Sequence, residues 1–103
     1  MEPWSLNITV SYVLRDDVDI DEAVGGIAEF VGKVGADHPG ILYVSGRSIT
    51  EPRAFRHTIR VRTPADLAVM QAAPFFEAFG PWLKSRCAEG PTVDRYVVVA
   101  ATG

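Results

Sequence analysis

The chain is poor in most of the residue patterns that chemistry requires. It has one cysteine, Cys87, which excludes an internal disulfide or a cysteine-built metal site and fits a reducing compartment. No histidine or carboxylate set has metal-ligand spacing, and neither a glycine-rich phosphate loop nor a Ser-His-Asp signature is present. Basic residues number 10 against 13 acidic ones, so the positive excess of a nucleic-acid binder is missing. The longest unbroken apolar run is YVVVAA, 96–101, far short of the roughly 20 residues that span a membrane. The opening MEPWSLN has no basic n-region and no apolar h-region, which predicts no signal peptide. Together these absences predict a cytoplasmic protein without metal, membrane or nucleic-acid partner, and a length of 103 residues suits one domain, 1–103.

What is present is a patterned apolar content. Residues 5–15 alternate, with Leu6, Ile8, Val10, Tyr12 and Leu14 on one face and Asn7, Thr9 and Ser11 on the other. After the acidic turn DDVD, Asp19 stands as an N-cap with Glu22 at capping-box spacing. Ile20, Ala23, Val24, Ile27, Phe30, Val31 and Val34 then follow helical spacing, ending near Gly35. The Gly25-Gly26 pair weakens this helix but permits close approach of another element. Strands are predicted at 41–49, 55–63 and 93–101. Thr63-Pro64-Ala65-Asp66 opens a second helical region, 64 to about 88, kinked at Pro74 and at Pro81.

The resulting order β-α-β-β-α-β is the ferredoxin-like arrangement, an α+β fold with a four-stranded antiparallel sheet and its helices on one face. The last strand is apolar on both parities, Tyr96 and Val98 one way, Val97 and Val99 the other. A strand apolar on both sides is usually covered on both sides, which predicts a second copy of the chain against the open face.

Candidate site residues follow from this placement. Phe75, Phe76, Phe79 and Trp82 put four of the ten aromatics into eight residues, and Phe75, Phe79, Trp82 and Arg86 share a helix face. They read as core or as the wall of a pocket for a flat apolar ligand. His57 lies on the apolar face of the third strand, where a neutral imidazole can serve as a general base or pack as a hydrogen-bonded core residue. Tyr12 shares that face. Arg47, Arg53, Arg56, Arg60 and Arg62 form a basic cluster, read as an anion clamp or as partners of the acidic turn or of a dimer seam. His38 is expected in solvent, and Cys87 is expected to be structural.

The stretch TPADLAVMQAAPFFEAFGPWL, 63–83, resembles the antibiotic biosynthesis monooxygenase family, and HPGILYVSGRS resembles that family's glycine-led second strand. The resemblance implies a homodimeric α+β barrel with an apolar pocket between sheet and helices in each subunit. It also implies a cofactor-independent monooxygenase acting on a small aromatic or quinol-type substrate. The family's frequent histidine before the proline falls on Met70, which would line the pocket with Tyr12, Phe75, Phe79 and Trp82. The family's third-strand glutamate and tryptophan fall on Ile59 and Val61. The tryptophan and the histidine that the haem-degrading branch uses on its second helical region fall on Val69 and Phe79, without an imidazole to ligate iron. A non-catalytic ligand-binding or regulatory dimer of the same fold, and a dimer with its pocket closed by its own side chains, remain as alternatives.

Overall fold

The structure, a computed structural model, describes residues 4–102. The first three residues, part of the opening read above for a signal peptide, lie outside the described residues. The elements are β1 (Leu6–Leu14), α1 (Ile20–Asp37), β2 (Ile41–Arg47), β3 (Ala54–Val61), α2 (Pro64–Gln71), α3 (Pro74–Lys84) and β4 (Cys87–Val97). The strands form one antiparallel sheet in the order β2-β3-β1-β4. This is the expected α+β ferredoxin-like fold, with the second helical region divided in two.

Two expectations about that region are corrected. The break falls at Ala72–Ala73, because Pro74 cannot extend a helix from its own N–H and starts α3 instead. Pro81 lies inside α3 without ending it. The chain leaves the helix at Ser85, and β4 begins at Cys87, six residues earlier than its apolar run suggests. Cys87 and Ala88, expected at the end of the helical region, belong to β4 instead, and its pairing with β1 is irregular between Ser11 and Leu14. Gly90, at a φ of +82°, belongs to this irregularity; a Cβ there would meet Ser11 O at 2.7 Å. The first helix continues past Gly35 to Asp37.

Strand alternation places the core as expected. Ile8, Tyr12 and Leu14 of β1 and Phe55, His57, Ile59 and Val61 of β3 are buried under the helices. Asp19 caps α1, accepting from the amides of Asp21 (2.9 Å) and Glu22 (3.3 Å). The Glu22 side chain does not close the capping box; it pairs with Arg86 at 3.2 Å. Ala23, Ile27, Phe30 and Val34 form the buried stripe of α1.

The glycine pair of α1 divides its roles. Gly25 faces open space, whereas a Cβ on Gly26 would run into the indole ring of Trp82. The indole is held in place from its other sides by Phe79, stacked at 5.5 Å, and by the Arg86 guanidinium, 4.2 Å from its centroid. The small residue therefore sets the spacing between α1 and α3. We expect Gly26→Ala to lower stability by about 1–3 kcal/mol, the usual cost of overpacking. Gly25→Ala should raise it by up to about 1 kcal/mol through helix propensity alone. Urea denaturation of the two variants beside the wild type checks both signs, and equal shifts would refute the assignment.

Candidate functional site

The site grows out of β3, an inner strand with β1 on one side and β2 on the other. His57 is its one buried polar side chain and is 0% exposed. On β1, Val10 lies opposite His57 and Tyr12 opposite Phe55. On β2, Ser45 lies opposite His57 and Tyr43 opposite Ile59. The two tyrosines are thus diagonal neighbours of His57 on the two flanking strands, within reach of long side chains on a shared face. Tyr12 Oη lies 2.8 Å from Nε2, and Tyr43 Oη lies 2.6 Å from Nδ1. Both imidazole nitrogens are therefore engaged, as burial of a polar ring requires.

Beside this cluster is a cavity of about 210 Å³. Its floor is the sheet, where Ile8, Val10, His57 and Ile59 stand beside Tyr43; Met70, Phe76, Phe79 and Leu83 of α2 and α3 roof it. Pro91, Val93 and Arg95 of β4 complete its edge, with Val93 and Arg95 exposed. The volume is below the ~300–1,000 Å³ of a drug-sized pocket and suits one ring or two fused rings.

The electrostatics follow from burial. Desolvation of the imidazolium pushes the His57 pKa down from 6.5 to about 4, so the ring is neutral at physiological pH. Burial raises the Tyr12 and Tyr43 hydroxyls well above the usual phenol range, with Tyr43 and Cys87 adding to the effect on Tyr12. The cluster is a set of neutral groups, suited to donating and accepting hydrogen bonds in an apolar enclosure. Among the described residues no three His, Cys, Asp or Glu side chains gather as a metal site would require, and no helix is long and apolar enough to cross a membrane.

The structure divides the sequence candidates. Met70 and Phe79 border the cavity with His57. Tyr12 is behind it, buried at 3% exposure, stacked on Phe55 and reaching the cavity through His57. Phe75 and Trp82 turn toward α1 instead. Phe75 packs near Phe30 (5.7 Å) and His38 (5.8 Å), and with Trp82 it borders a surface groove between α1 and α3. Phe79 faces both sides, stacked 3.8 Å from Phe30 and 6.2 Å from His57. His38, expected in solvent, is only partly exposed, and its Nε2 is buried without a partner among the described residues.

The arginine cluster disperses. Arg53 donates to the carbonyls of Arg15 (2.6 Å) and Val18 (2.9 Å) and lies 4.0 Å from Asp16, pinning the acidic turn. Arg62 lies over Trp4 at 5.3 Å. Arg47 and Arg56 border a wide, shallow concavity on the open face of the sheet, away from His57.

Two site residues escaped the sequence reading. Tyr43 carries no motif of its own, and the signal that could have found it is the alternation along ILYVS, which puts it on the face of buried Ile41. Arg95 escaped because β4 was placed by its apolar end; its register against Ile8 puts it on the helix side.

The buried imidazole makes stability pH-dependent. The folded chain holds His57 neutral down to about 4, whereas the unfolded chain protonates it from about 6.5. Its contribution is complete above pH 6.5 and is lost as pH falls toward 4, by about 3 kcal/mol in all. Tyr12, Tyr43 and Cys87, all shifted upward, titrate outside that window. Urea midpoints from pH 7.5 to 4 should fall more steeply for the wild type than for His57→Gln; parallel curves would contradict the burial argument.

No protein-family model and no curated protein matches the chain. Solved structures do. A Nitrosomonas europaea structure named "putative antibiotic biosynthesis monooxygenase" superposes with a TM-score of 0.84 at 14% identity, covering 100% of this chain and 98% of that one. A Caulobacter crescentus structure of the same name gives 0.79 at 19% identity, covering 94% and 92%. A third, named antibiotic biosynthesis monooxygenase, gives 0.75 at 17% identity, covering 94% and 99%. Such identities speak to architecture rather than chemistry: the fold of this chain is the fold of the antibiotic biosynthesis monooxygenase structures.

Proposed function

We propose that the cavity beside His57 receives a small aromatic or quinol-type molecule and that the chain, as a homodimer, oxygenates it as a cofactor-independent monooxygenase. The observation that carries this reading is the largely apolar cavity whose wall holds one neutral imidazole bonded to phenol hydroxyls, with Gln71 and Arg95 as further polar side chains. In such chemistry the ionised substrate supplies the electrons. At a ring carbon bearing two hydrogens, one atom of dioxygen forms the new carbonyl, and the other leaves as water with both hydrogens. The protein's part is to hold the ring plane against Met70 and Phe79, to favour the oxyanion and to exclude water. His57 acts through Tyr43 rather than by direct contact, because both of its nitrogens are already engaged.

That same engagement favours a second reading, ligand binding without turnover, since no free base faces the cavity. Oxygen uptake with anthrone and a dihydroxyarene panel separates the two. Oxygenation predicts uptake by the wild type and a loss of roughly 10²-fold in His57→Gln, the scale of removing oxyanion stabilisation. Equal rates would take His57 out of the mechanism. Thermal stabilisation by the panel without product, checked by mass analysis, would establish the binding reading instead.

The homodimer is supported by the uncovered apolar surface of one chain. By register, Val93 (52% exposed) and Val97 (75%) face the helix side of the sheet, while Tyr96 (55%) and, on β2, Leu42 and Val44 lie on the open side. Burial of both faces would remove this surface from water. Light scattering should give the mass of two chains, and a single-chain mass would refute the dimer.

A further inference from the structure

The hydrogen-bond chain through His57 has a direction. A neutral imidazole carries one N–H and one bare nitrogen, so it donates to one tyrosine and accepts from the other. Tyr12 Oη is buried, and His57 Nε2 is its one hydrogen-bond partner among the described residues. The nearby Cys87 thiol is directed to the Leu83 carbonyl at 3.3 Å. If Nε2 held the proton, the Tyr12 O–H would be left buried without an acceptor, an expensive defect. The satisfied arrangement has Tyr12 donating to Nε2 and Nδ1–H donating to Tyr43 Oη. The Tyr43 hydroxyl proton is then the one proton of this hydrogen-bond chain without an acceptor among the described residues, and Tyr43 is only partly buried, at the cavity wall.

We propose that Tyr43 is the hydrogen-bond donor to the cavity's ligand, and that the site thereby selects molecules presenting an acceptor oxygen, a carbonyl or a phenolate, over hydrocarbons of the same shape. This rests on the cavity being a ligand site. The three dipoles Tyr12, His57 and Tyr43 point the same way, so each strengthens the next and the last donor most. A hydrocarbon entering the cavity displaces whatever solvent met that proton and leaves the O–H unpaired, whereas an acceptor oxygen replaces the bond. The Arg95 cation at the cavity edge adds to the preference for a phenolate. Tyr43 is the group that meets the ligand; His57 and Tyr12 position and polarise it.

Two measurements test this, one of them free of any ligand. Long-range ¹H–¹⁵N correlation spectra of the uniformly labelled protein at pH 7.5, assigned with His38→Gln, report which nitrogen of His57 is protonated. The expected result is Nδ1–H; protonation at Nε2 overturns the proposal. Binding of 1-tetralone and of tetralin, matched bicycles with and without a carbonyl, is then compared by calorimetry. The wild type should prefer the ketone by about three- to tenfold, the worth of one net hydrogen bond. Tyr43→Phe should bind both equally, and tetralin at least as tightly as the wild type does, because no O–H is left unpaired; a ketone preference that survives in Tyr43→Phe overturns the donor role. If neither bicycle binds, the cavity reading falls and the ligand-facing role falls with it, while the tautomer still decides the direction of the chain.

Discussion

The arrangement depends on a buried imidazole that must be hydrogen-bonded at both nitrogens. His57 sits in the middle of an inner strand, under the helices, where an unsatisfied ring would cost more than most single contacts return. Antiparallel registry supplies the solution, since β1 and β2 each bring one tyrosine to a diagonal position. The result is a polar rod laid across three strands within an otherwise apolar layer. A one-residue slip of either flanking strand would turn its tyrosine to the open face and leave the ring unpaired. The cluster therefore ties sheet register and site chemistry to the same three side chains.

The cavity exists because the roof is held by something other than the floor. Trp82 rests on Gly26 of α1 and under Arg86, and Phe79 stacks between Trp82, Phe30 and the site. These contacts fix α3 from its α1 side. The break at Ala72–Ala73 lets α2 and α3 diverge, so that Met70 and Phe79 reach the same space from different helices. The aromatic cluster of α3 thus divides its labour. Phe75 and Trp82 anchor the helix, and Phe76 and Phe79 present surface to the cavity.

Much of this was legible in the sequence where one residue's neighbours along the chain decide the outcome. Period-two alternation put Tyr12 and His57 on the buried face, and Asp19 and Thr63 announced the helix starts they cap. What could not be read depends on pairing between distant segments. Tyr43 becomes a partner of His57 only through the β2–β3 register, and Trp82 leaves the cavity only because Gly26 offers it a surface. The start of β4 was missed for a related reason: a polar, glycine- and proline-bearing stretch carries little strand propensity, and it is held in the sheet by pairing with β1.

The edge strand joins the two halves of the functional reading. Val93 and Arg95 border the cavity, and Val93, Tyr96 and Val97 are the exposed apolar residues of the same strand. An edge strand with exposed apolar side chains and unpaired backbone groups calls for a cover. Whatever covers β4 also sets the width of the cavity's opening and the solvation of Arg95. In a homodimer, access to Tyr43 would then be a property of the interface, and a lower local dielectric at the opening would strengthen the hold of Tyr43 and Arg95 on an oxyanion. Assembly and ligand selection would rest on the same eleven-residue strand.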